Sequence, residues 1–419
     1  MKSCSTFRLS ECDMAAKSRC FLLFLLVVTS LRADERPNGW EGAIRAEHVR
    51  PHVEFLASPN LAGRSGANSA KAAEYLTKQF RDWKLKPLFA DGSFEQLIPT
   101  SAEEPADNTD SPKNGGGDEP AKKGSRIIGR NVGAWLIGSD PKLRDELIVI
   151  GAHFDHLGTR NGKIFRGADD NASGTAMMLE VARQLATSKT PPKRSVVFVG
   201  FDLEEQLLWG SRWFVAHPPF ELDRVKLFIT ADMIGRSLGD LPLPTVFVMG
   251  SEHAPRMKTL LDDVGSPRGL EVARLGVDLV GVRSDYGPFW NEKIPFLFFS
   301  TGEHPDYHTP RDVPEKLDFD KIARVSSLVL KIVESVANTE SSPEWSDEVP
   351  ADINEVKAIH RITDLLLQAG EKKPLSDLQR LIVTQAHNKC QQILDRGTFN
   401  TDDRKWLIRI SQLLLLSVF

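Results

Sequence analysis

Apolar residues recur three and four apart in AIRAEHVRPHVEFLAS and again in SAKAAEYLTKQFRDW, between residues 43 and 83. That spacing predicts two helices, with Ser69 a candidate N-cap for the second. The intervening NLAGRSGANS reads as a loop from its Gly and Asn content. Beyond residue 126 the pattern changes to short continuous apolar runs: NVGAWLIG, ELIVIGAHF, SVVFVGF, VKLFITADM, TVFVMG and IPFLFFST. Runs of that length, rich in β-branched and aromatic residues, predict strands buried on both faces. Helical patterns fall between and after them in SGTAMMLEVARQLATS, GSRWFVAHP and FDKIARVSSLVLKIVESVAN. Alternation of this kind predicts a three-layer α/β/α sandwich with a mixed, mostly parallel sheet, over residues 40–340.

Two stretches break the pattern. Residues 100–126, TSAEEPADNTDSPKNGGGDEPAKKGSR, hold few apolar residues and much Pro, Gly and charge. They are expected to be a low-complexity surface insertion. After the linker SSPEWSDEVPA, residues 352–419 return to helical periodicity as a C-terminal helical extension, with Gly370 and Gly397 as stops for its first two helices.

Composition adds limits. A chain of 419 residues with 41% hydrophobic residues can bury a sizeable core, and a net charge of -4 without a basic stripe speaks against nucleic acid as a partner. Lys17 and Arg19 precede CFLLFLLVVTSLRA, an apolar stretch too short to span a bilayer comfortably. That layout is expected of a signal peptide over residues 1–33, begun at Met1 or Met14, and hence of a secreted or periplasmic protein. An uncleaved membrane anchor is the alternative. Cys4, Cys12 and Cys20 lie in or before this leader, so Cys390 stands alone afterwards and no internal disulfide is expected. On its amphipathic helix it reads as a buried small hydrophobe.

The chemistry sits where the strands stop. In open α/β sheets, sites form beyond the carboxyl ends of the strands. Here IVIGAHFDHLG ends in His153, Asp155 and His156, and FRGADDNASG supplies Asp169 and Asp170 just before a helix. VVFVGFDLEE supplies Glu204 and Glu205, LFITADMIG supplies Asp232, and HPDYHTPRD after IPFLFF supplies His308. Five units each deliver His, Asp or Glu to one edge. Imidazoles mixed with carboxylates, and no cysteine beside them, suit Zn²⁺, with Co²⁺ or Mn²⁺ as substitutes. The carboxylates are too many for one tetrahedral ion, which favours two ions sharing one carboxylate.

In that order, GAHFDHLG, GADDNASG, FDLEEQLLWGS, ADMIG, SDYGPF and YHTPRD resemble the M28 family of zinc peptidases, the aminopeptidase Y and glutamate carboxypeptidase II relatives. The resemblance runs from FLASPNLAGR at Phe55 to about Asn338. It implies a zinc exopeptidase fold with two Zn²⁺ per chain and a peptide substrate. It further implies that Asp169 bridges the ions, that His153 and Asp232 complete one site, and that Glu205 and His308 complete the other. Glu204 would be the general base, Asp155 would orient His153, and Tyr307 would face the developing oxyanion. Tyr286 and Arg283 are placed at the substrate. Tyr286 stands where relatives commonly carry His, and Leu207 where they commonly carry Gly.

Other readings of single residues stay beside these. Asp170 is expected as an N-cap or as an acceptor behind the ligands, and His156 as a loop residue. For the whole chain, an aminopeptidase is expected first, because clustered arginines for a substrate carboxylate are missing from the motifs. A carboxypeptidase or dipeptidase of the same family is the alternative, followed by glutaminyl cyclase or a non-catalytic binding protein on this scaffold.

Overall fold

The structure is a computed structural model that describes residues 39–100, 126–368 and 375–417. The leader, the interior of the 100–126 segment and Gly370 lie outside them. The chain enters through helices α1 (Ala46–Leu56) and α2 (Ala67–Asp82). Strands β1 (Lys86–Pro87), β2 (Glu95–Pro99) and β3 (Ile127–Leu136) follow, then β4 (Leu147–His153) and a small ribbon of β5 (Thr159–Arg160) and β6 (Lys163–Ile164). Helix α3 (Gly174–Thr187) precedes β7 (Ser195–Phe201), α4 (Trp209–Ala216), β8 (Val225–Ala231) and β9 (Thr245–Met249). Next come α5 (Pro255–Val264), β10 (Glu271–Arg274), α6 (Tyr286–Asn291), β11 (Phe296–Ser300) and α7 (Phe319–Asn338). Three helices close the chain: α8 (Ile353–Gln368), α9 (Asp377–Arg396) and α10 (Thr401–Ser417).

Nine strands form one mixed sheet in the order β1-β3-β7-β4-β8-β11-β9-β10, with β2 paired to β3. The centre, β7-β4-β8-β11, is parallel throughout. β3 runs antiparallel to β7, and β9 antiparallel to β11. The continuous apolar runs explain why the centre is buried on both sides. In β4, Ile148 and Ile150 face one apolar layer with α1, α2, α3, α5 and α7, whereas Leu147 and Val149 face the other with α4, α6, α8, α9 and α10. Period-two alternation of apolar residues thus supplies both layers of the predicted sandwich.

Two local differences have plain causes. Ser69 does not cap α2, which starts earlier at Ala67; its hydroxyl donates to Gly66 O and to Asp202 Oδ2 instead. The edge strands β1, β2 and β10 were not anticipated, because short polar runs such as EVAR carry no strand pattern. Cys390 is buried, as expected of it.

The C-terminal helices share the second apolar layer with the sheet through Val356, Ile359, Val383, Cys390 and Leu407. An ionic clip fastens them. Arg404 of α10 makes a two-point contact with Asp278 at 2.6 and 2.8 Å and reaches Glu355 of α8 at 3.1 Å. Glu355 in turn accepts the N–H of Gly276. The described residues from Trp40 onward form one compact unit.

Thr100 N donates to Arg126 O at 2.8 Å, so the low-complexity segment leaves and re-enters the sheet at adjacent points of the β2–β3 pair. Deleting residues 101–125 should therefore shift the melting temperature by no more than a few degrees. Shortening a loop whose ends already touch changes closure entropy by only about 0.6 kcal/mol per halving. A drop of ten degrees or more in a thermal melt would show that the segment packs on the fold.

Candidate metal centre

Three parallel strands end side by side at one edge. His153 is the last residue of β4, Asp232 follows β8, and Glu204 and Glu205 follow β7 after Asp202. The loop into α3 adds Asp169 and Asp170, and the segment after β11 adds His304 to Asp312. At Gly174 a Cβ would lie 2.1 Å from Ala231 O, so only glycine lets α3 start this close to β8.

Two clusters result. In one, His153, Glu204 and Asp232 bring ligand-type atoms within 4.8 Å of one another; in the other, His156, Asp170 and Glu205 do. Asp170 joins them: its Oδ1 lies 3.5 Å from His153 Nε2, and its Oδ2 lies 3.2 Å from His308 Nε2. His308 Nε2 is also 3.2 Å from Glu205 Oε2. Asp169 is not in either cluster. Its Oδ1 accepts the N–H of Gly235 at 2.6 Å and its Oδ2 faces His304 at 3.5 Å. The expectation that Asp169 lies between the clusters is thereby corrected: the turn aims Asp169 back into the fold and Asp170 forward.

Backbone bonds fix that choice. Asp312 accepts the N–H groups of both Asp169 and Asp170, at 2.9 to 3.1 Å. Arg64, with no exposed surface, donates to the carbonyls of Phe154, Leu56, Arg166 and Gly167 at 2.6 to 2.8 Å, and to that of Asp170 at 3.4 Å. A guanidinium with five carbonyl acceptors ties the loops on either side of the site together. Asp155 stands 3.6 Å from His153 Nδ1 and accepts the N–H of Glu204 at 3.1 Å and of Glu205 at 3.4 Å. It thus orders the Glu pair as well as the imidazole. Neither Arg64 nor Asp312 was singled out for the site from sequence, and His156 was noted at the strand end but read as a loop residue. Arg64 and Asp312 do fall inside quoted motifs, NLAGR and YHTPRD.

The remaining expected residues divide. Tyr307 and Arg283 line the cavity beside the clusters, and Tyr307 stacks on His308 with ring centroids 3.8 Å apart. Tyr286 does not reach that cavity. It is fully buried, its hydroxyl donates to Gly281 O, and its ring stacks on Phe296. Its placement as a substrate contact is corrected, because the phenol is spent on a turn of its own loop.

The electrostatics ask for cations. Burial pushes Glu204 well above the usual carboxylate range, with Asp285, Asp232 and Asp170 adding to it against the pull of His153. Burial likewise raises Asp285 to about 7. Burial alone would lower His153, but Glu204 and Asp232 override it and hold the imidazole well above its ordinary value. Many of these atoms have no hydrogen-bond partner: both nitrogens of His153 and of His156, and one oxygen each of Asp170, Glu205 and Asp232. His156 Nδ1 and Glu205 Oε1 are 2.7 Å apart without hydrogen-bond alignment. Buried polar atoms are rarely left this way unless something unseen meets them. Converging imidazole nitrogens and carboxylate oxygens are the donors that Zn²⁺ takes, so the residues fit a metal centre.

The sheet edge thus carries two clusters of metal-ligand type. Residues 131–333 match the model of peptidase family M28. It is 28% identical to the aminopeptidase YwaD of Bacillus subtilis over 208 residues, which are 47% of this chain and 43% of YwaD. It is also 28% identical to the glutaminyl-peptide cyclotransferase of Boiga dendrophila over 223 residues, 43% of this chain and 60% of that protein. The chain thus spans less than two thirds of either relative. Among solved structures, BSAP, a zinc aminopeptidase from Bacillus subtilis, superposes with a TM-score of 0.51 at 18% identity. The superposition covers 73% of this chain and 99% of BSAP, a likeness of fold.

Proposed function

We propose that this M28 peptidase is a secreted aminopeptidase with a dinuclear zinc centre. The observation that carries the reading is the Asp170 carboxylate, set between two clusters that each offer an imidazole and further carboxylates. His153 and Asp232 would hold one ion, Glu205 and His308 the other, and Asp170 both, with His156 a further donor beside the second. Zn²⁺ bound there supplies Lewis acidity, which polarises a carbonyl and makes water acidic near neutral pH. Glu204 is left as the group that takes a proton from the attacking water and returns it to the departing amine. Asp155 keeps His153 presenting Nε2, and Tyr307 lines the cavity, where it would meet the developing oxyanion. Secretion rests on the leader alone.

Direction follows from charge. Glu303 lines the cavity beside the clusters and lies 3.7 Å from Arg283, which is thereby partly neutralised. Among the described residues no second arginine lines that cavity to grip a carboxylate, whereas acids suited to an α-ammonium do. A free-amine peptide should therefore be cleaved while its N-acetylated counterpart is inert, in a hydrolysis assay with about two zinc ions per chain by mass spectrometry. Cleavage of the acetylated peptide, abolished by C-terminal amidation, would overturn the direction and leave the metal centre standing. The likeness to a cyclotransferase supports a second reading, cyclisation of N-terminal glutamine. One zinc per chain and ammonia release from a glutaminyl peptide would establish it instead.

A further inference from the structure

The cavity that opens at Asp170, Glu204 and His308 continues away from the metal centre into a pocket that the C-terminal helices complete. The whole cavity, its metal-centre end included, has a volume of about 160 Å³. Phe247 and Met249 of β9 and Phe298 of β11 form its floor from the sheet. Ile359 and Ile362 of α8 and Leu414 of α10 form the opposing wall. These helical residues lie outside the part of the chain that matches the family, residues 131–333. The Arg404 clip to Asp278 and Glu355 holds that wall against the segment that contributes Leu275 and Leu279.

Among the residues that α8 and α10 contribute, one polar side chain interrupts the apolar lining. Ser411 of α10 is only 4% exposed, lines the pocket, and its hydroxyl has no hydrogen-bond partner among the described residues. Serine and threonine inside helices commonly satisfy themselves on the carbonyl one turn back. Ser326, Ser335 and Thr363 of this chain do so, on Ile322 O, Lys331 O and Ile359 O at 2.7 to 2.9 Å. The Ser411 hydroxyl is left free for something inside the pocket. A buried hydroxyl with no partner costs about 1–3 kcal/mol, which an occupant with a matching group recovers.

We infer that α8 and α10 form a specificity pocket for an aromatic side chain with a hydroxyl tip, a peptide beginning with tyrosine, and that Ser411 is the residue that reads the hydroxyl. The inference rests on the aminopeptidase reading for the site it serves. An engineered apolar cavity of roughly 150 Å³ accepts a benzene ring, so this one has room for a phenol. Phe247 and Phe298 offer ring contacts, and Met249 a sulfur, of the kind aromatic side chains favour. The apolar lining of Phe247, Met249, Phe298, Ile359, Ile362 and Leu414 disfavours a charged head set among it.

The test compares tyrosyl, phenylalanyl, leucyl, alanyl, lysyl and glutamyl anilides on the full chain, by kcat/KM. Tyrosine should lead phenylalanine by roughly five- to tenfold, one neutral hydrogen bond's worth. Ser411→Ala should bring that ratio to about one. Leu414→Trp should shift preference to alanine by filling the pocket. Equal rates for tyrosine and phenylalanine in the parent chain, or an unchanged ratio in Ser411→Ala, overturns the inference and would mean that water satisfies the hydroxyl. N-blocked dipeptides ending in the same residues keep the two claims apart. Cleavage of these alone defeats the aminopeptidase reading, while the tyrosine-to-phenylalanine ratio still judges the pocket. Where neither series is cleaved, calorimetric binding of tyrosinamide against phenylalaninamide decides: tighter tyrosinamide supports the pocket, and no binding or equal binding ends it.

Discussion

Asp170→Asn should strip the protein of both metal ions and of turnover, whereas Asp169→Asn should leave a weakened but loadable enzyme. The two residues are adjacent acids, yet the fold gives them different neighbours. Asp170 alone approaches both halves of the centre, 3.5 Å from His153 and 3.2 Å from His308. Replacing a carboxylate by an amide there removes a negative oxygen from each half at once. It also leaves His153 and His308 facing a neutral group that can donate as well as accept. Asp169 works from behind, accepting the Gly235 N–H and facing His304. Partners of that kind typically account for about 10- to 100-fold in metal affinity. Zinc per chain by mass spectrometry, read beside hydrolysis of a free-amine peptide, separates the two variants. Loss of both ions from Asp169→Asn with retention in Asp170→Asn would reverse the assignment.

The same pair marks how far the sequence could be read. Spacing of His, Asp and Glu at strand ends located the site, because a strand's end and a sheet's edge follow from apolar periodicity. Which of two consecutive carboxylates faces the centre depends on the path of the turn into α3, and that path is set elsewhere. Asp312, 142 residues beyond Asp170, accepts the turn's N–H groups, and Arg64, 106 residues before it, holds the turn's carbonyl. Neither residue looks chemical in isolation: one closes a motif, the other lies in a glycine-rich loop. His156 had the same difficulty. Its place directly after Asp155 fits no pattern of ligands, and only the loop's fold brings it to Glu205. The C-terminal helices were legible as helices from their periodicity and from Gly397, which ends α9 in a left-handed conformation. Their seat over the cavity was not, because Arg404, Asp278 and Glu355 meet only through the fold.

Glu204→Gln should keep both metal ions and lose activity by several orders of magnitude. The substitution preserves the shape of the side chain and the backbone bonds from Asp155 that order it. What disappears is a group able to accept a proton and give it back, a function worth about 10²–10⁴-fold alone and more when the same group also orients the water. The geometry makes the test a discriminating one. Glu204 lies 3.9 Å from His153 Nε2, close enough to be mistaken for a ligand of the first cluster, whereas Glu205 contacts both His156 and His308. The two glutamates also sit in opposite fields. Burial raises both carboxyls, but His156 and His308 pull Glu205 far below its ordinary value, while Glu204 stays well above. A permanently ionised carboxylate is suited to holding a cation, and one that can take up a proton is suited to moving it. Glu205→Gln should accordingly lose metal together with activity. If Glu204→Gln instead loses metal and Glu205→Gln retains it, the roles of the two residues are exchanged.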